Sequence, residues 1–138
     1  MKTALGLAMI VLVVVLWLHS ESRRVARKVE IAFKGRAHLS DEEFFETYYQ
    51  GSGIPIDIVK GVRGVLAEAL HEDVSRVIPT DDFSGNLNFL LDAEPETDVA
   101  IVEGLERRFD IRISKQEAER TRTVDDIIHL VHAKVLSK

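Results

Sequence analysis

The chain has 138 residues, and its formal charge of −5 conceals an uneven distribution. Residues 1–36 carry seven basic and two acidic side chains, whereas residues 37–138 carry eleven basic and 21 acidic ones. A body so acidic repels nucleic-acid phosphates and favours basic protein surfaces, and the absence of cysteine excludes disulfides, thiolate metal sites and thiol catalysis.

Thr3 to Leu18 is uncharged and almost wholly apolar. As a helix its sixteen residues span roughly 24 Å, and flanking residues extend it toward both headgroup layers of a ~30 Å hydrocarbon core. Trp17 falls near one end, where an indole prefers the interface. A short n-region, Met1-Lys2, and the lack of a small-x-small site after Leu18 argue against a cleaved signal. Arg23, Arg24, Arg27 and Lys28 follow immediately, and positive charge there holds that flank in the cytoplasm. The expectation is an uncleaved single-pass anchor over residues 1–20 with the C-terminal body cytoplasmic. The same basic cluster also suits anionic lipid headgroups.

Residues 21–53 read as a basic juxtamembrane segment and an aromatic helix. The anchor helix continues as a short stalk until Lys34-Gly35-Arg36 breaks it. Ser40-Asp41-Glu42-Glu43 is a capping-box pattern that opens a helix bearing Phe44, Phe45, Tyr48 and Tyr49. Gln50-Gly51-Ser52-Gly53 ends it. Pro55 fits the first turn of the next helix, whose apolar positions are Val59, Val62, Leu66, Ala69 and Leu70. Gly61 and Gly64 lie inside it, each costing up to about 1 kcal/mol relative to alanine.

A long loop is expected from Ile78 to about Ala93. Pro95 then begins a helix with Glu94, Glu96 and Asp98 near its positive end, and with Val99, Ile101, Val102, Leu105 and Phe109 as its apolar face. Ile111 and Ile113 alternate with polar residues and suit a pinned connection. Thr123-Val124-Asp125-Asp126 caps a last helix that buries Val124, Ile127, Ile128, Val131 and Val135. The body therefore reads as all-α.

From about Ile54 to Leu136 this order of elements resembles the acyl carrier protein family. Residues 101–109 look like that family's second helix. Residues 110–114 with 117–119 look like its third-helix region, and residues 123–128 look like the start of its fourth. The resemblance implies an acyl-carrier-like four-helix bundle over residues 54–138, preceded by the transmembrane helix and stalk. In that family a serine in a D-S-L motif at the start of the second helix carries phosphopantetheine. Counting back from Phe109 by the family's spacing puts Glu94-Pro95-Glu96 at that motif, so Pro95 stands where the serine belongs and has no hydroxyl to esterify. Thr97, inside the helix, and Ser84, upstream in the loop, are poor substitutes. The expectation is that there is no cofactor and no catalytic residue.

Phe89, Leu90 and Leu91 make the loop before this helix more apolar than the family usually has. They are expected to plug the bundle interior, where a carrier accommodates its chain, or to form an ordinary local core, with an exposed patch for a partner as the third reading. Glu94, Glu96, Asp98, Glu103 and Glu106 keep an acidic face on the helix that in the family docks on basic patches of partner enzymes, although Arg107 and Arg108 interrupt its end. His129 and His132 are three apart, but no third ligand stands at suitable spacing, so no metal site is expected. No glycine-rich phosphate loop, Ser-His-Asp set or H-E-x-x-H motif is present. The sequence thus points to a non-enzymatic bacterial inner-membrane protein that serves as an interaction or adaptor module. Its partner would have a basic surface, and fold analogy alone places it near lipid or polyketide-type synthesis. A carrier modified at another hydroxyl, or a non-covalent acyl-chain binder, are the alternatives.

Overall fold

A computed structural model describes residues 2–138, leaving out the side chains of residues 2–4, 21 and 22. Met1, part of the expected anchor and its n-region, and the Lys2 side chain lie outside what is described. The chain divides into two compact units, one ending at Lys34 and the other running from Gly35 to Lys138. The first unit is helix α1, Lys2–Ala32, a single element through both the apolar run and the basic cluster. Its large apolar side chains from Leu5 to Leu18 are exposed, and it is long and apolar enough to cross a membrane. The break falls where the sequence places it, with Gly35 at a φ of +80° that favours glycine.

The second unit is helical, with α2 (Asp41–Tyr48), α3 (Ile56–Leu70), α4 (Asn88–Asp92), α5 (Thr97–Phe109), α6 (Lys115–Arg120) and α7 (Val124–Leu136). The described residues contain no β-strand, only an isolated bridge between Asp82 and Thr123. Capping chemistry starts three of these helices. The hydroxyls of Ser40, Ser114 and Thr123 accept from the N–H of Glu43, Glu117 and Asp126, and each of those carboxylates reaches back to its cap. Pro55 precedes α3 as its N-cap rather than lying in the first turn, and its fixed φ suits that extended position.

The core is built on α3, which packs chiefly against α5 and also against α2 and α7. Val59, Val62, Leu66, Leu105, Val124, Ile128 and Val131 are almost wholly removed from water. The aromatic helix belongs to this same unit. Phe44 and Tyr49 are buried, Tyr48 is exposed, and the Tyr49 hydroxyl donates to Asp125 Oδ1 at 2.6 Å, tying α2 to α7. Arg63, 6% exposed on α3, donates to Asp41 Oδ1 at 2.6 Å and to the Leu39 and Ser75 carbonyls, with its guanidinium over the Phe44 ring. A second buried charge, Asp81, accepts both terminal nitrogens of Arg36 at 2.7 and 3.0 Å, the Ile78 N–H and the Asn86 amide. That many donors satisfy a carboxylate removed from water.

The connection after α3 differs from the long loop expected. Residues 88–92 form the short helix α4, because Leu87 and Leu90 lie three apart and both bury, which fixes one turn of helix between them.

A candidate site at the start of helix five

α5 begins at Thr97, two residues later than the Pro95 start read from the sequence. Glu96 is the reason. It adopts a left-handed conformation, φ 64° and ψ 18°, which reverses the chain between α4 and α5, and a left-handed residue cannot be part of the helix. The turn is closed by the Thr97 hydroxyl, which donates to the Glu94 carbonyl at 2.9 Å, and the first helical bond runs from Ala100 N–H to Glu96 O at 2.9 Å. Pro95 sits exposed on this turn. Thr97, the nearest hydroxyl, is 4% exposed and already used as a donor. Ser84 is exposed but belongs to the segment before α4, where its N–H donates to Asp82 Oδ1.

Of the acidic residues singled out in the sequence, Glu94, Glu96, Asp98 and Glu103 are all exposed on this turn and helix. Glu94 lies 3.9 Å from His71, which ends α3 in a left-handed conformation. Glu106 is half-buried and has a structural task. Its Oε2 accepts from Ile113 N–H at 3.0 Å, which pins the connection between α5 and α6. Val99, expected on the apolar face, is 45% exposed, because α5 turns Ile101 and Leu105 inward and carries Val99 around toward solvent.

Beside this helix an apolar groove of about 490 Å³ opens between α5, α6 and α7. Phe83, Leu91, Val99, Val102, Ile113 and Leu130 line it, with Asp98, Lys115 and Glu119 also on its walls. The three residues considered as a plug separate in space. Leu90 is buried beside Leu87, whereas Phe89 and Leu91 are half-buried and Leu91 forms part of the groove wall. Leu87, fully buried, is the anchor that the sequence reading did not single out, although its spacing to Leu90 was visible.

The His129 ring lies within hydrogen-bond distance of the Asp125 carbonyl, one turn back on α7. Among the described residues no group of three or more His, Asp or Glu side chains is placed to hold a metal ion. Burial, then the hydrogen bond to Asp125, pushes the Tyr49 phenol well above its ordinary range, so it stays a donor. The Lys134 ammonium 2.7 Å from Glu117, helped by the Ser114 backbone N–H, holds that carboxyl down at about 2.

The chain is similar to curated acyl carrier proteins. One from Thermosynechococcus vestitus is 30% identical over 79 residues, which cover 57% of this chain and 93% of the relative. Another, from Helicobacter hepaticus, is 33% identical over 78 residues, covering 56% of this chain and 97% of the relative. No family model matches the chain.

Proposed function

The chain belongs to the acyl carrier protein family, and from that premise we propose that it is a membrane-tethered, non-enzymatic member that acts as an interaction module rather than a covalent carrier. The observation that carries this reading is the turn before α5. Pro95 occupies the serine's place by the family's spacing, and the adjacent Thr97 hydroxyl is buried and engaged, so the turn presents no accessible alcohol. The acidic residues beside it stay in water. Glu94, Glu96, Asp98 and Glu103 favour a partner with a basic surface, and charges at such a rim chiefly set association rate and specificity.

Tethering is supported by the length and apolarity of α1, and a cytoplasmic body by the arginines that follow the apolar run. An anchored module meets membrane-bound partners at a raised local concentration. The test is intact-mass analysis of the full chain after incubation with a phosphopantetheinyl transferase and coenzyme A. An unchanged mass is the expected result, and a stoichiometric adduct would overturn the proposal. In native membranes, crosslinking with Glu94, Glu96, Asp98 and Glu103 changed to Gln should lose the partner.

A second reading is favoured by the groove itself. Its apolar walls suit an aliphatic chain held without a covalent bond. Native mass spectrometry of the chain released from membranes would show a bound lipid of defined mass if this is how the module works.

A further inference from the structure

On the other side of α5 lies a groove of different character, about 370 Å³, between α3 and α5. Lys60, Gly61, Gly64, Gly104, Arg107 and Arg108 line it together with Val65 and Glu68. We propose that this groove binds a singly charged phosphate ester, of the kind a membrane phospholipid headgroup presents.

Three observations carry the proposal. First, cations converge here on a body that is otherwise strongly acidic. Most basic side chains of this unit are engaged by carboxylates, among them Arg36, Arg63, Arg122, Lys115, Lys134 and Lys138. Among the described residues no carboxylate lies within ion-pair distance of Arg107 or Arg108, and Arg108 lies over the Phe109 ring at 5.4 Å. Second, the floor is open. A side chain added at Gly64 would meet nothing within 4 Å, so the helix surface there leaves room for a ligand. Third, the chemistry suits an anion. Lys60 is held by Glu42 at 2.7 Å, which leaves two arginines and one glutamate as the other charged side chains lining the groove, and guanidinium forks suit the paired oxygens of a phosphodiester. The macrodipole accounts for cations in the last turn of α5, but not for their sharing a groove with Lys60 over a bare glycine. Only the lipid source rests on the tethered reading; the anion site stands or falls without it.

The test uses the full chain in phosphate-free micelles of a non-ionic maltoside detergent, observing the Val65 methyl resonances on the groove wall. One arm adds phosphatidylglycerol to the micelle, and the other adds inorganic phosphate to the plain micelle. A saturable shift with phosphatidylglycerol alone assigns the site to a headgroup, and one with inorganic phosphate assigns it to a free phosphate ester. Arg107→Gln with Arg108→Gln should weaken either response by about tenfold or more. Gly64→Leu should abolish it by filling the floor while leaving every charge in place, with helicity by circular dichroism confirming both variants folded. Methyls unmoved by both probes overturn the proposal, as does a shift that survives either substitution, since it would not arise at this groove.

Discussion

Two glycines three residues apart on α3 should respond oppositely to the same substitution. At either position, alanine gains up to about 1 kcal/mol of helix propensity. At Gly64 that gain is unopposed, because an added Cβ meets nothing within 4 Å. At Gly61 the Cβ would lie 2.3 Å from Phe109 Cζ and 2.9 Å from Cε1. The ring must swing away from α3, and overpacking of this kind costs about 1–3 kcal/mol. Gly64→Ala should therefore exceed Gly61→Ala in stability by roughly 1–3 kcal/mol, the propensity term cancelling between them. Urea unfolding of the full chain in a mild non-ionic detergent, followed by circular dichroism, measures the difference. Phe109→Leu should shrink it, since the opposing atoms are then gone, and the double-mutant cycle isolates the contact. Equal stability of the two alanine variants in the Phe109 background would refute the seating of that ring on Gly61.

Other perturbations test other joints. Arg63→Met removes the tie from α3 to Asp41, Leu39 and Ser75, and should cost about 2–3 kcal/mol in the same unfolding assay, the scale of hydrogen bonds to a charged group plus the acceptors left behind. Tyr49→Phe loses only the bond to Asp125 and should cost about 1–2 kcal/mol, while Tyr48→Phe, at an exposed ring, should be near neutral. Glu117 has its folded value depressed to about 2 from an ordinary 4.5, so its stabilisation is complete above the ordinary value and disappears as pH falls toward about 2. Glu117→Gln should flatten the acid limb of a stability-versus-pH curve over that window and leave the neutral limb parallel to the parent.

The helices were legible where their signals are local. Ser40 with Glu43, and Thr123 with Asp126, announce two caps three residues apart, and the apolar spacing of α3 and α7 marks their buried faces. What was not legible depends on partners distant in sequence. Asp81 reads as one acidic residue in a loop, and only folding brings Arg36, 45 positions earlier, onto it. Arg63 carries no local signal of burial, and only folding brings Leu39, Asp41 and Ser75 around it. The start of α5 was misplaced because proline announces a first turn on propensity alone. The left-handed Glu96 that delays it carries no sequence signal, since glutamate is an unusual residue for that conformation. The division of Phe89, Leu90 and Leu91 between core and groove wall was likewise set by the one turn of α4.

On the proposed reading, in which Pro95 stands in the serine's place, the carrier's alcohol can be lost while the carrier's shape is kept. The residue is exposed on a turn whose closure comes from Thr97 to Glu94 and from Ala100 to Glu96, not from its own side chain. No core contact depends on a hydroxyl there, so its loss leaves the α3–α5 packing untouched. The turn and the helix after it keep Glu94, Glu96, Asp98 and Glu103 in water next to an apolar groove, the two features through which the module would, on that reading, engage a basic protein or an aliphatic chain. Chemistry and architecture are separable on that reading because Pro95 lies on the surface, whereas the fold is held by α3 and the residues that close around it.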